Sequence, residues 1–186
     1  MKKKLYIAAG GGGDALTTLA LTDRMNQDEV VYASFSWDRK IYDPDVGPRG
    51  IDDFENVKVV GAYNAVIYPN SHLKNKKAIS FLPLIAKAYN REFYLLDYNG
   101  GTVGIKKQIL EIISLHNIDC VYIVDVGGDI LAVGDESNLK SPLADAGVLA
   151  ACNNLGVRTR VLVAGCGLDG ELTVDELKEI ITLFRD

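Results

Sequence analysis

Short runs rich in Val, Ile, Leu and Tyr alternate along this 186-residue chain with longer runs of helical period. Such alternation favours a mostly parallel sheet covered by helices, because parallel strands need a crossover of a dozen or more residues between them. Strands are expected at 4–9, 29–35, within 57–68, and at 92–97, 119–126 and 160–164. Their nearly all-apolar interiors fit burial on both faces. Helices are expected at 15–25, 79–90, 102–116, 142–154 and 174–184. Ser141 before Pro142 reads as an N-cap with proline at the first helical position, and Thr173 with Glu176 as a capping box. Gly61 and Asn64 interrupt the third strand, which leaves one strand, a hairpin or two short strands open.

Four of the expected strand ends carry glycines: Gly10, Gly11, Gly12 and Gly13; Gly100 and Gly101 after Asn99; Gly127 and Gly128; and Gly165, Gly167 and Gly170. In an open α/β sheet, ligands sit outside the carboxyl ends of the strands, near the point where strand order reverses. Glycine lets a ligand approach the chain closely, so the clustering predicts a cleft lined by main-chain N–H groups. The competing reading is tight turns in a compact domain.

The first turn, Gly10 to Ala15, satisfies G-x-G-x-x-A between a strand and a helix, although four consecutive glycines satisfy many patterns. A nicotinamide site also wants an acid at the end of the second strand. Ser34, Phe35, Ser36 and Trp37 stand there, with Asp38 just beyond, so NAD is disfavoured. As an N-cap Asp14 would contribute about 1 kcal/mol, whereas a carboxylate about 4 Å from a bound phosphate costs roughly 4 kcal/mol at an effective dielectric of 20. Asp14 therefore points away as a cap, or a divalent cation bridges it to the phosphate, or the ligand is not anionic.

The second turn, Gly127-Gly128-Asp129, echoes the first and follows Asp125. Two converging carboxylates are a common way to hold Mg²⁺ through a few oxygens and several waters, so Asp125 and Asp129 are the metal candidates. Asp14 and Asp129 are the acid/base candidates. Gly10 to Gly13, Asn99, Gly100, Gly101, Thr102, Gly127, Gly128, Asp169 and Glu171 are the ligand-binding candidates. A connection of about a dozen residues after Asp129 is long for such a unit and suggests a functional loop. Segment 36–56 has no regular pattern and reads as a lid, a binding surface or an oligomer contact, in which Arg39 and Arg49 could grip an anion. Cys166 lacks a placed histidine and is read as inert; Cys120 and Cys152 read as small buried hydrophobes.

Composition narrows the function classes. With 20 Lys plus Arg against 25 Asp plus Glu, the net charge is -5, and no basic excess exists to drive counterion release from a nucleic acid. Three cysteines without a C-x-x-C pair suggest neither a disulfide framework nor a zinc knuckle, and fit a cytoplasmic setting. The N-terminal residues imitate a signal peptide, but four glycines and Asp14 cut the apolar run to about half an h-region. No stretch approaches the roughly 20 apolar residues that span a bilayer, so no membrane partner is expected.

The Gly10 to Asp14 turn, the segment Val124-Asp-Val-Gly-Gly-Asp-Ile-Leu, Gly134-Asp-Glu, Ser141-Pro-Leu-Ala-Asp-Ala and Ala164-Gly-Cys-Gly-Leu-Asp-Gly-Glu together resemble the largely archaeal "domain of unknown function" family 1152. The resemblance runs from the first strand to the last helix, and members of that family continue beyond it. It implies a Rossmann-like fold and supplies no chemistry. The expectation is a three-layer α/β Rossmann-like fold in a single domain, 1–186, with a mostly parallel sheet of five or six strands. Its cleft would take a small polar or phosphorylated, nucleotide-like ligand, as a binding protein or a Mg²⁺-assisted enzyme. The alternative is a non-catalytic, homo-oligomeric module whose aspartates only cap helices.

Overall fold

A computed structural model describes residues 3–24, 29–45, 47–140 and 142–183. The Ser141 cap, and the expected helix ends at Met25 and Phe184, lie outside them. In chain order the elements are β1 (Lys3–Ala8), α1 (Gly13–Arg24), β2 (Val30–Ser34), β3 (Phe54–Val60), β4 (Asn64–Leu73), α2 (Phe81–Tyr89), β5 (Phe93–Leu95), α3 (Gly101–His116), β6 (Ile118–Val126), α4 (Leu143–Ala151), β7 (Arg158–Ala164) and α5 (Val174–Leu183).

Among the described residues the sheet has seven strands in the order β3-β4-β5-β2-β1-β6-β7. β5, β2, β1, β6 and β7 run parallel, whereas β4 is antiparallel to both β3 and β5. The sequence reading of five or six strands falls short because the weak third strand is a full hairpin. Gly61 turns it, at φ 69°, and Glu111 of α3 accepts the N–H groups of Ala62 and Tyr63 at 2.7 and 3.0 Å. A turn whose N–H groups are held by a side chain of a distant helix leaves little local signal.

Alternation along β1 divides the interior. Leu5, Ile7 and Ala9 pack with Ile105, Ile109 and Ile112 of α3 and Val148 and Ala151 of α4. Tyr6 and Ala8 pack with Ala15 and Leu19 of α1 and Leu82, Ile85 and Ala86 of α2. Residues 5–9 are all buried, which is why this stretch reads as a continuous apolar run. The helices end where the sequence lacks glycine: Asn90 and Asn117 adopt the left-handed conformation after α2 and α3, the next-best residue for that role. The capping box holds, with Thr173 N–H on Glu176 at 2.8 Å and Glu176 N–H on Thr173 Oγ1 at 3.2 Å. α4 starts at Leu143, so Pro142 precedes the helix instead of opening it. Among the described residues no helix is long and apolar enough to cross a membrane.

The chain leaves β1 toward β2 and β5 on one side, and returns through α3 to β6 and β7 on the other. β1 and β6 are therefore neighbours across the reversal, with Ala8 opposite Val124 and Ala9 N–H on Val124 O at 2.9 Å. Their two glycine turns emerge side by side.

Candidate functional site

Where these turns emerge, a cleft of about 710 Å³ opens. Its lining includes Gly10, Gly11, Gly12, Gly13 and Asp14 from the first turn, Gly127 and Asp129 from the second, Asp145 of α4, and Asp169 and Glu171 beyond β7. Trp37, Asp38, Arg39, Lys40 and Tyr42 form the facing wall. The wall touches the turn directly, since a Cβ on Gly11 would stand 2.7 Å from the Trp37 carbonyl oxygen.

Arg49 keeps that wall in place and does not line the cleft. Its guanidinium donates to both oxygens of Asp43, a fork that includes Nε to Oδ2 at 2.7 Å, and reaches Asp45 at 3.0 Å and Asp53 at 3.6 Å. Asp43 is 1% exposed, and its bonds hold the Arg49 side chain's pKa above the ordinary value. Arg49 is thus a staple of segment 36–56, while Arg39 remains at the cleft. The loop after β6 is similarly held: Glu176 accepts from Ser137 N–H at 3.0 Å, and Glu171 accepts from Lys140 N–H at 2.8 Å.

The carboxylates are the cleft's unusual feature. Asp14, Asp125 and Asp145 are 8, 1 and 3% exposed, and one oxygen from each lies within 4.8 Å of the others. None is a helix cap. α1 begins at Gly13, so Asp14 lies inside its first turn, and its Oδ2 reaches back to accept the Gly10 N–H at 2.6 Å. Of the three alternatives open for Asp14, the outward-pointing cap is not the one found: the carboxylate closes the four-glycine turn from within. Asp125 is inside β6 and Asp145 inside α4. Burial, above all, raises their pKa values, to about 7 for Asp14, about 8 for Asp125 and about 9 for Asp145, and neighbouring carboxylates push the same way. Gly10 N–H partly offsets this at Asp14. Two unit charges 4.8 Å apart repel by roughly 3 kcal/mol at an effective dielectric of 20.

Asp129, paired with Asp125 in the sequence reading, is less buried and outside the group of three converging oxygens. Its carboxyl lies near that of Asp125, and burial above all raises its pKa. Asp145 was missed as a site residue because convergence is spatial. A signal existed: a carboxylate stands among Ala144, Gly147, Val148 and Ala151, the residues α4 buries.

Other candidates fall outside the cleft lining. Asn99, Gly100, Gly101 and Thr102 follow β5, which is separated from β1 by β2, so their turn shares the sheet edge and not the reversal. Asn99 N–H is bound to Asp97 at 2.8 Å. Gly128 packs toward Cys166 and Leu172. Cys166 is exposed, Cys120 partly buried and Cys152 buried, where loss of solvent raises its pKa to about 12.

Gly127 has φ 127°, donates to Ala164 O at 3.0 Å and accepts from Gly167 N–H at 2.6 Å. A Cβ there would strike the Asp169 carboxylate. Gly127→Ala is expected to lower unfolding free energy by about 1–3 kcal/mol, read from urea denaturation; an unchanged midpoint would mean that the turn relaxes freely.

The family model described as "Protein of unknown function (DUF1152)" matches residues 5–185. The chain belongs to the DUF1152 family. No curated protein and no solved structure matches it significantly. Within this DUF1152 chain, three of the segments that carried the resemblance, those around Asp14, Asp125 and Asp145, meet at the cleft floor.

Proposed function

We propose that this protein binds a small polar, phosphorylated, nucleotide-like ligand in the cleft between β1 and β6. The observation that carries the reading is the glycine turn 10–13 leading into α1 at the reversal of strand order. The parallel order β5-β2-β1-β6-β7 supports a three-layer Rossmann-like reading, in which dinucleotide ligands lie across that reversal. Gly12 and Gly13 N–H groups, at the start of α1, have no intrahelical acceptor, and none of the hydrogen bonds among the described residues uses them. They and the α1 dipole favour an anion. Arg39 and Lys40 add positive charge on the opposite wall.

A second cavity of about 710 Å³, lined by Tyr32, Lys58, Tyr68, Arg91, Tyr94 and His116, lies at the amino ends of β2 and β5. It has no glycine turn or helix start, and its His116 is committed to Tyr94 at 2.7 Å. The reading of the aspartates as mere caps has no support from their positions, since none occupies an N-cap.

The test is a melting-temperature panel of nucleotides, sugar phosphates and inorganic phosphate, each with the double variant Arg39→Ala/Lys40→Ala as comparison. A phosphorylated ligand at 100 times its dissociation constant is expected to add about 2.7 kcal/mol, an increase reduced in the double variant. A panel without any shift, or shifts equal in the variant, defeats the proposal.

A further inference from the structure

We propose that Asp14, Asp125 and Asp145 form a site for one hard divalent cation of the Mg²⁺ or Mn²⁺ type at the floor of the cleft. The site is independent of the nucleotide reading, because the three side chains alone would hold the ion. They arrive from α1, β6 and α4, so closure of the sheet on both sides of β1 assembles the group.

Geometry is the first argument. An octahedral ion with ligands at about 2.1 Å holds oxygens roughly 3 Å apart when adjacent and about 4 Å apart when opposite. Donor oxygens already within 4.8 Å of one another need only small side-chain rotations to reach those separations.

Unsatisfied acceptors are the second argument. Asp125 Oδ2 and Asp145 Oδ1 are buried and have no hydrogen-bond partner. Nearly every buried polar atom in a folded protein finds one. No ion pair among the described residues reaches Asp14, Asp125 or Asp145. A single cation held by the group would face both residues that carry orphaned oxygens and remove the mutual repulsion at once. The all-oxygen donor set, with no His or Cys in the group, selects Mg²⁺ or Mn²⁺ over zinc. Three protein ligands leave positions for water, which Mg²⁺ retains, or for an oxygen of a ligand entering from the cleft. The ion would also remove the conflict between Asp14 and an anion held on the glycine turn.

The probe is Mn²⁺ alone. Chelator-stripped full-length protein is titrated with MnCl₂ while free Mn²⁺ is followed by electron paramagnetic resonance, without nucleotide. Expected is one saturable Mn²⁺ per chain, displaced by excess MgCl₂. Asp125→Asn and Asp145→Asn should each weaken binding at least roughly tenfold, with the exposed-surface change Asp175→Asn without effect. Both asparagine variants keep the side-chain shape, and circular dichroism checks their folding; if one fails to fold, the other decides. Absence of saturable binding up to millimolar Mn²⁺ overturns the site, as does wild-type affinity in a folded Asp125→Asn or Asp145→Asn protein. Absence of Mn²⁺ binding to the unaltered protein, with its nucleotide shifts retained, would overturn this inference and leave the nucleotide reading standing.

Discussion

Asp43→Ala is expected to destabilise the fold by about 3–5 kcal/mol, the range for removing one partner of a buried ion pair. Asp43 is 1% exposed and Arg49 11%, so the alanine variant leaves a guanidinium largely enclosed with only the more exposed Asp45 and Asp53 to answer it. For a domain of this size each kcal/mol moves the melting temperature by about 2–4 °C. The damage should not stop at stability. Arg49 N–H bonds Ser36 O at 2.8 Å, and Trp37 to Lys40 continue from there along the cleft. Ligand affinity is expected to fall in Asp43→Ala even where the protein remains folded. Chemical denaturation measures the first effect, and a loss below about 1 kcal/mol, the range of an exposed pair, would count against the staple.

Asp145→Asn should act in the opposite direction on the metal-free protein. Asp14, Asp125 and Asp129 face Asp145 from α1, β6 and the turn after β6, and each raises its pKa. Because the folded-state values lie at about 7, 8 and 9 for Asp14, Asp125 and Asp145, against an ordinary value of 3.8, the native state holds protons that the unfolded chain has released. Stability therefore falls as pH rises from about 4 toward 9, with each retained proton worth about 1.4 kcal/mol per pH unit. Asparagine removes one of these retained protons. In chelator, Asp145→Asn is expected to melt above wild type at pH 8.5, with the gap closing by about 1.4 kcal/mol per pH unit as the pH falls toward 4. Parallel pH profiles for the two proteins would show that the carboxylates do not repel one another in the folded state.

The alternation of apolar runs and helical periods was enough to locate the parallel strands and the glycine turns at their carboxyl ends, because burial on two faces and backbone freedom are both local demands on residue type. Long-range pairing was less legible. β4 reverses direction by virtue of a turn held from α3 by Glu111, a residue about 50 positions later in sequence. Arg49 looked like an anion grip because side-chain chemistry alone cannot tell a cleft from a salt-bridged loop. Asp145 could be recognised only as a misplaced charge on an apolar helix face, and its meeting with Asp14 and Asp125 depends on three elements closing together. Asn99 to Thr102 had the right composition and the right sheet edge, yet β2 stands between that turn and the reversal.

The position of β1 at the middle of the sheet has a bearing on how the chain comes off the ribosome. One neighbour, β2, is encoded immediately after it, but the other, β6, arrives only at residues 118–126, and Lys3 N–H waits for Asp119, 116 positions away. Closing so long a loop makes native pairing slow relative to local helix formation. Until β6 docks, one edge of a strand whose residues 5–9 end up wholly covered remains open, a state that invites pairing with another nascent chain. Asp125 and Asp145 reach Asp14 only with β6 and α4, so the electrostatic cost of bringing the carboxylates together falls on the late stages of assembly.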